Sequence, residues 1–177
     1  MSLHVFLLEM KKLLGQVDGW LEKAASHAQH KKFDVNTLLQ ARLAPDMFPL
    51  VRQIQSTCDQ VKFAAARVAG KDPPSHPDTE TTVDELRKRI ATVTAYVDTF
   101  KADDFAGAEQ RTIALPRWEG KSMNLRDYFV EHVHPNFFFH LTMTYAILRH
   151  NGVEIGKRDY LGALTFAAGH GPAAKDR

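Results

Sequence analysis

Residues 3–24 carry the strongest constraint on fold: Leu3, Phe6, Leu7, Met10, Leu13, Leu14, Val17, Trp20, Leu21 and Ala24 recur at steps of three and four. On a strand these residues would divide between two faces; on a helix they gather into one apolar stripe. The spacing predicts a long amphipathic helix that must bury that stripe against other elements. It is expected to end near Ala28, where HAQHKKF supplies basic residues suited to a helix carboxyl end. His27 and His30 are then read as exposed residues of the last turn.

The same period returns three more times. After a connection from Asp34 to Leu43 with a short helical turn, Leu50, Val51, Ile54, Cys58, Val61, Ala65 and Val68 mark a second helix over about 46–69. Asp46 is its expected N-cap, Pro49 falls in the first turn, where a missing amide costs nothing, and Gly70 closes it. KDPPSHPDTETT reads as a loop, with His76 solvated. From Thr82 or Val83 a third helix sets Leu86, Ile90, Val93, Val97 and Phe100 in a narrow seam, and Lys101–Ala108 breaks the pattern. RTIALPRWEGKSMN predicts a short hairpin or extended segment. Asn124 or Ser122 then caps a fourth helix, which carries Leu125, Phe129, Val133, Phe137, His140, Leu141, Thr144 and Leu148 on one face and stops at Gly152. Inside it, Pro135 removes one amide donor and predicts a kink or break between Glu131 and Pro135. Four such helices describe an all-α four-helix bundle, one domain over 1–166, with 167–177 a disordered tail.

Composition narrows the function classes. Lys plus Arg number 23 against 21 for Asp plus Glu, and the basic residues are scattered, so no nucleic-acid surface is marked. Glu9, Lys11 and Lys12 interrupt the apolar amino-terminal run, which predicts neither a signal peptide nor a membrane span. The single cysteine, Cys58, sits at an apolar helical position without an intrachain partner, which fits cytoplasmic localisation and apolar filler better than a catalytic thiol.

The stretch HVHPNFFFH, residues 132–140, is the one candidate for chemistry. His132, Asn136 and His140 stack at steps of four, but His132 and His140 are two turns, about 12 Å, apart and cannot share one ion on a straight helix. His134 lies on another face, and Asn is a weak ligand for a transition metal. His140 is therefore read as a buried histidine hydrogen-bonded to a neighbouring helix. Phe137, Phe138 and Phe139 fan out at about 100° per residue. Phe137 faces the core, and Phe138 or Phe139 needs a second contact, either a homodimer face or a cover from the amino-terminal or hairpin segment. Phosphate-cradling glycine loops, nucleophile elbows, HExxH and paired-cysteine zinc motifs are missing from the sequence.

The runs LAPDMFPLVRQIQSTCDQVKFAAARVAGKDPP and PNFFFHLTMTYAILRHNGVEIGKRDYLG resemble a bacterial family of uncharacterised proteins grouped with the DinB/YfiT-like four-helix bundles. The resemblance extends to about Leu161. It implies a site where a histidine of the second helix and an HxxxH pair of the fourth hold a divalent metal, often nickel or zinc, in some branches for thiol-dependent transferases or isomerases. His140, followed by Leu148 and Arg149, matches the second histidine of the pair; Asn136 stands where the first belongs. The second helix has no histidine, so Asp46, Gln53 or Asp59 would have to substitute. The expectation is thus a cytoplasmic, homodimeric bundle with a degenerate metal site and no assignable reaction. Its pocket candidates are His140, Asn136, Gln53, Asp46 and Thr144, with His140 the metal-ligand candidate. The alternatives are a zinc- or nickel-dependent or thiol-dependent transferase or isomerase built around His140, and a small-molecule binding module.

Overall fold

A computed structural model describes residues 2–166; the expected tail at 167–177 lies outside the described residues. The first stripe forms α1, Leu3–Lys31, capped by Ser2 through its side chain and closed by Lys32 in the left-handed conformation. It runs one turn beyond Ala28 because the Lys32 and Phe33 amides fold back onto the carbonyls of Ala28 and Gln29. His30 is exposed as expected, but His27 is half-buried, edge-on to Phe33 and close to Gly152.

The second helix, α2, spans Leu50–Val68 and starts four residues later than the spacing suggests. Pro49 is its N-cap, with an extended backbone (ψ 164°), and not a first-turn residue. Phe48, which precedes that proline, is pushed out of the helical region. Asp46 therefore caps nothing and lies exposed. Residues 53–58 of α2 are buried without interruption, more than a full turn, although four of the six are Gln53, Gln55, Ser56 and Thr57. Helices cover two sides of α2, and the segment 71–82 supplies partners on another: Gln55 donates to Glu80 at 2.8 Å, and Arg52 pairs with Asp78.

The third helix, α3, Val83–Asp98, begins with a reciprocal capping box between Thr82 and Glu85. Short turns follow, then the expected hairpin: β1, Thr112–Ala114, pairs antiparallel with β2, Ser122–Asn124, with Ile113 opposite Met123. Glu119 and Gly120, both at positive φ, turn the chain between them. Asn124 caps what comes next by accepting the Asp127 amide at 2.9 Å.

The last long helix is continuous but changes register. An α-turn, α4 (Leu125–Asp127), passes into a π-helical stretch, Tyr128–Val133, and then into α5, His134–His150. This replaces the expected kink: the wider turn lets the His134 amide reach the Phe129 carbonyl, and Pro135, with no amide to place, enters the first turn of α5. Gly152 (φ 87°) ends the run as predicted. A short α6, Lys157–Leu161, lies on α1, where Trp20 donates to the Asp159 carbonyl and stacks on Tyr160. α2 packs against α5 along the main seam of the bundle, and α1 and α3 complete it. Trp20, Ile54, Leu86, Tyr128 and Phe137 are among its fully buried side chains, each worth about 1.5–3 kcal/mol of burial for the aliphatic and Phe members.

Candidate functional site

The seam between α2 and α5 brings two of the five candidates together. Gln53, 1% exposed, faces His140 across it, and the Gln53 Oε1 to His140 Nδ1 distance is 2.8 Å. The direction of this bond follows from its neighbour. Gln53 Nε2 donates to the Phe48 carbonyl at 3.3 Å, and a carbonyl can only accept, so Oε1 is the atom turned to the imidazole. His140 Nδ1 therefore carries the proton, and Nε2 is left as an acceptor with no protein partner among the described residues. Burial, reinforced by the Arg52 guanidinium, holds the His140 pKa below its ordinary value, so the ring is neutral at physiological pH. The Phe48 ring lies parallel to the imidazole at 6.5 Å, Phe139 stands edge-on at 5.3 Å, and both phenylalanines are about half exposed.

The other candidates serve the backbone or lie elsewhere. Asn136 is one turn from His140, but its amide donates to the His132 carbonyl at 2.6 Å, beside the π stretch. Thr144, fully buried, donates to the His140 carbonyl at 2.9 Å. Asp46 makes no hydrogen bond or ion pair to any of them, and Asp59 turns to Arg89 and Lys62. Phe138 is half-buried against His134 and Phe137, whereas Phe139 is 51% exposed.

This donor set does not fit zinc or nickel. Around His140 it offers one imidazole nitrogen, an amide oxygen already hydrogen-bonded, and a nearby guanidinium where a carboxylate would be needed. Among the described residues no three His, Cys, Asp or Glu side chains are grouped to hold an ion.

Sequence reading missed a second polar cluster, centred on Arg89 of α3. Its guanidinium, 3% exposed, meets Asp59 at 2.9 Å, Asp78 at 3.0 Å and Glu80 at 3.0 Å, and also the Pro77 carbonyl. Lys62, equally buried, shares Asp59 at 2.8 Å. Burial alone would raise the Glu80 pKa, but hydrogen bonds from Arg89 and Gln55 outweigh it and hold the carboxylate low. His76, expected in solvent, is half-buried here, and burial together with Lys62 and Arg89 keeps it neutral. Burial pushes the neighbouring Cys58 thiol up to about 12, so it is no nucleophile. The available signal was Arg89 lying between Leu86 and Ile90 on the apolar face of α3.

Comparison with known proteins follows the same lines. The profile of a family described as "Domain of unknown function (DUF1993)" matches residues 4–161. A crystal structure of a DinB family member protein from Shewanella denitrificans is 45% identical, covering 92% of this chain and 93% of that one, with a TM-score of 0.89. No curated protein matches the chain significantly.

Proposed function

The chain belongs to the DUF1993 family and has the DinB-like bundle, and from that premise we propose that it works without a metal, as a small-molecule binding module centred on His140. The observation that carries this reading is the Gln53–His140 hydrogen bond. It uses Nδ1, fixes the ring, and presents the Nε2 lone pair to a ligand's hydroxyl or amine between Phe48 and Phe139. Two phenylalanine rings, one oriented imidazole nitrogen and the Arg52 guanidinium over Phe48 give an apolar surface with few polar groups, the residue make-up that small-molecule sites use. The same reading makes the protein a cytoplasmic homodimer. The lone, buried Cys58 supports a reducing compartment, and the exposed ring of Phe139 supports a second contact surface. No helix of the described residues is long and apolar enough to cross a membrane.

One preparation tests both parts. Titration of the purified protein with zinc and nickel is expected to give the same negligible affinity for wild type and His140→Ala, and light scattering at micromolar concentration twice the 20.0 kDa chain mass. One tightly held ion per chain that is lost in His140→Ala would replace this reading with the metal- or thiol-dependent enzyme. A monomer would remove the dimer.

A further inference from the structure

The hairpin has two strands, so one edge of β1 is paired with β2 and the other has no strand beside it. Register fixes which backbone groups lie on that second edge. Leu125 donates to the Arg111 carbonyl at 2.9 Å, and Thr112, Ile113 and Ala114 stand opposite Asn124, Met123 and Ser122 in the same frame. Antiparallel pairs alternate between hydrogen-bonded and non-hydrogen-bonded, so Arg111 and Ile113 face β2, while Thr112 and Ala114 turn their N–H and C=O groups away from it. Those groups have no hydrogen-bond partner among the described residues, and both residues are exposed.

This edge borders a surface cleft of ≈ 340 Å³, lined on one side by Thr112, Ile113 and Ala114 in succession and then Leu115. Neighbouring side chains of a strand point to opposite faces, so three consecutive strand residues line one cleft through their shared backbone edge. The facing wall is the end of α2 and its exit, with Arg67, Gly70 and Asp72. Arg67, in the last turn of α2, lies with its guanidinium carbon 4.2 Å over the Phe63 ring, and its Nη1 donates to the Tyr128 hydroxyl at 2.7 Å. Arg111 donates to the Val68 carbonyl and lies against Gly70. Arg52, Arg87 and Arg89 meet carboxylates; Arg67 and Arg111 meet none among the described residues. Lys71 is paired with Asp104, so Asp72 is the single acid on the wall against two guanidinium groups.

We propose that the cleft takes up an extended peptide segment with an acidic side chain, which adds to β1 as a third strand. The main chain of the segment pairs with Thr112 and Ala114, and its carboxylate meets the Arg67 guanidinium. Pro116, which has no amide, stops the edge two residues beyond Ala114, so the site reads a short segment. Backbone pairing holds any extended chain; the charge on the wall selects an acidic one. The β1 strand of a second copy, Thr-Ile-Ala directly behind Arg111, brings no carboxylate and adds positive charge instead. The site is separate from the Gln53–His140 pair and does not depend on what binds there.

The test is a nuclear magnetic resonance titration of the full chain with the blocked pentapeptide acetyl-Thr-Val-Glu-Val-Thr-amide, with its Gln counterpart as a second arm at the same ionic strength. The Glu peptide is expected to give saturable shifts at the Thr112 and Ala114 amides, to slow their hydrogen exchange, and to bind about tenfold more tightly than the Gln peptide. Ala114→Pro deletes an outward amide and leaves the ladder to β2 in place, so it should keep the fold and abolish binding. Arg67→Gln should bind both peptides equally; if Ala114→Pro fails to fold, this comparison and the exchange of the two wild-type amides decide. The proposal is overturned if wild type shows no saturable shift at Thr112 and Ala114, if folded Ala114→Pro binds as wild type does, or if wild type binds the Glu and Gln peptides alike. Protection of both amides that grows with protein concentration in the absence of peptide would give the edge to a second copy, and overturns it as well.

Discussion

Arg89, set on α3 against the middle of α2, and Arg67, in the last turn of α2 itself, solve opposite problems. Arg89 is surrounded by acceptors: Asp59, Asp78, Glu80 and the Pro77 carbonyl take up its Nη donors. Arg67 is held by a phenol and a ring, neither of which balances its charge. The first arrangement is closed and ties the segment 71–82 onto the bundle. The second leaves the charge of a half-buried guanidinium to solvent. A carboxylate-rich buried cluster reports on architecture even with the Arg89 Nε–H left without a partner, whereas Arg67 relies on an uncharged acceptor and a ring face.

The difference is sharpest in stability. Arg89→Met should cost about 3–5 kcal/mol in denaturant unfolding, because it takes the central cation away from Asp59 and Glu80, both largely buried, and leaves them only Lys62 and Gln55. A loss below about 1 kcal/mol would mean that solvent already reaches the acids and the cluster is not closed.

Acid should act on the same cluster with a smaller effect. The folded-state pKa of Glu80 lies below its ordinary 4.5, so the unfolded chain binds the proton more readily. Its contribution to stability is therefore complete above pH 4.5 and is lost as pH falls through the lower folded value. Unfolding free energy measured from pH 6 down to pH 3 should fall more steeply for wild type than for Glu80→Gln, and parallel curves would sink the assignment. The smallest effect is expected at the other arginine: Arg67→Gln should change unfolding free energy by less than about 1 kcal/mol, since it removes one hydrogen bond to a neutral acceptor and one ring contact. A loss as large as that of Arg89→Met would erase the contrast.

Periodicity made the bundle legible, because burying a stripe leaves few ways to pack four helices. The α1 stripe, the Asn124 cap and the Gly152 stop needed only local information. Asp46 misled because a good capping residue was weighed above the effect of Pro49 on Phe48, which delays the helix. The π stretch escaped because residues 125–133 read as an ordinary helix; only the demand of Pro135, met from its amino-terminal side, widens the turn. At the site, Gln53 and His140 were both identifiable on inward faces, and their contact depends on the α2/α5 seam. Asn136 could not be placed without knowing that a carbonyl one turn back competes for its amide. The Arg89 cluster joins residues 30 apart in sequence through a loop whose composition signals only solvent.

The π stretch also acts as a phase shifter. One residue more per turn at Tyr128–Val133 rotates everything before it by about 100° relative to α5. His140 keeps its aim at Gln53, while Tyr128 is turned to meet Arg67. A single helix thereby addresses α2 with two independent settings of its circumference. An uninterrupted α-helix of the same sequence could align with one of these partners or the other.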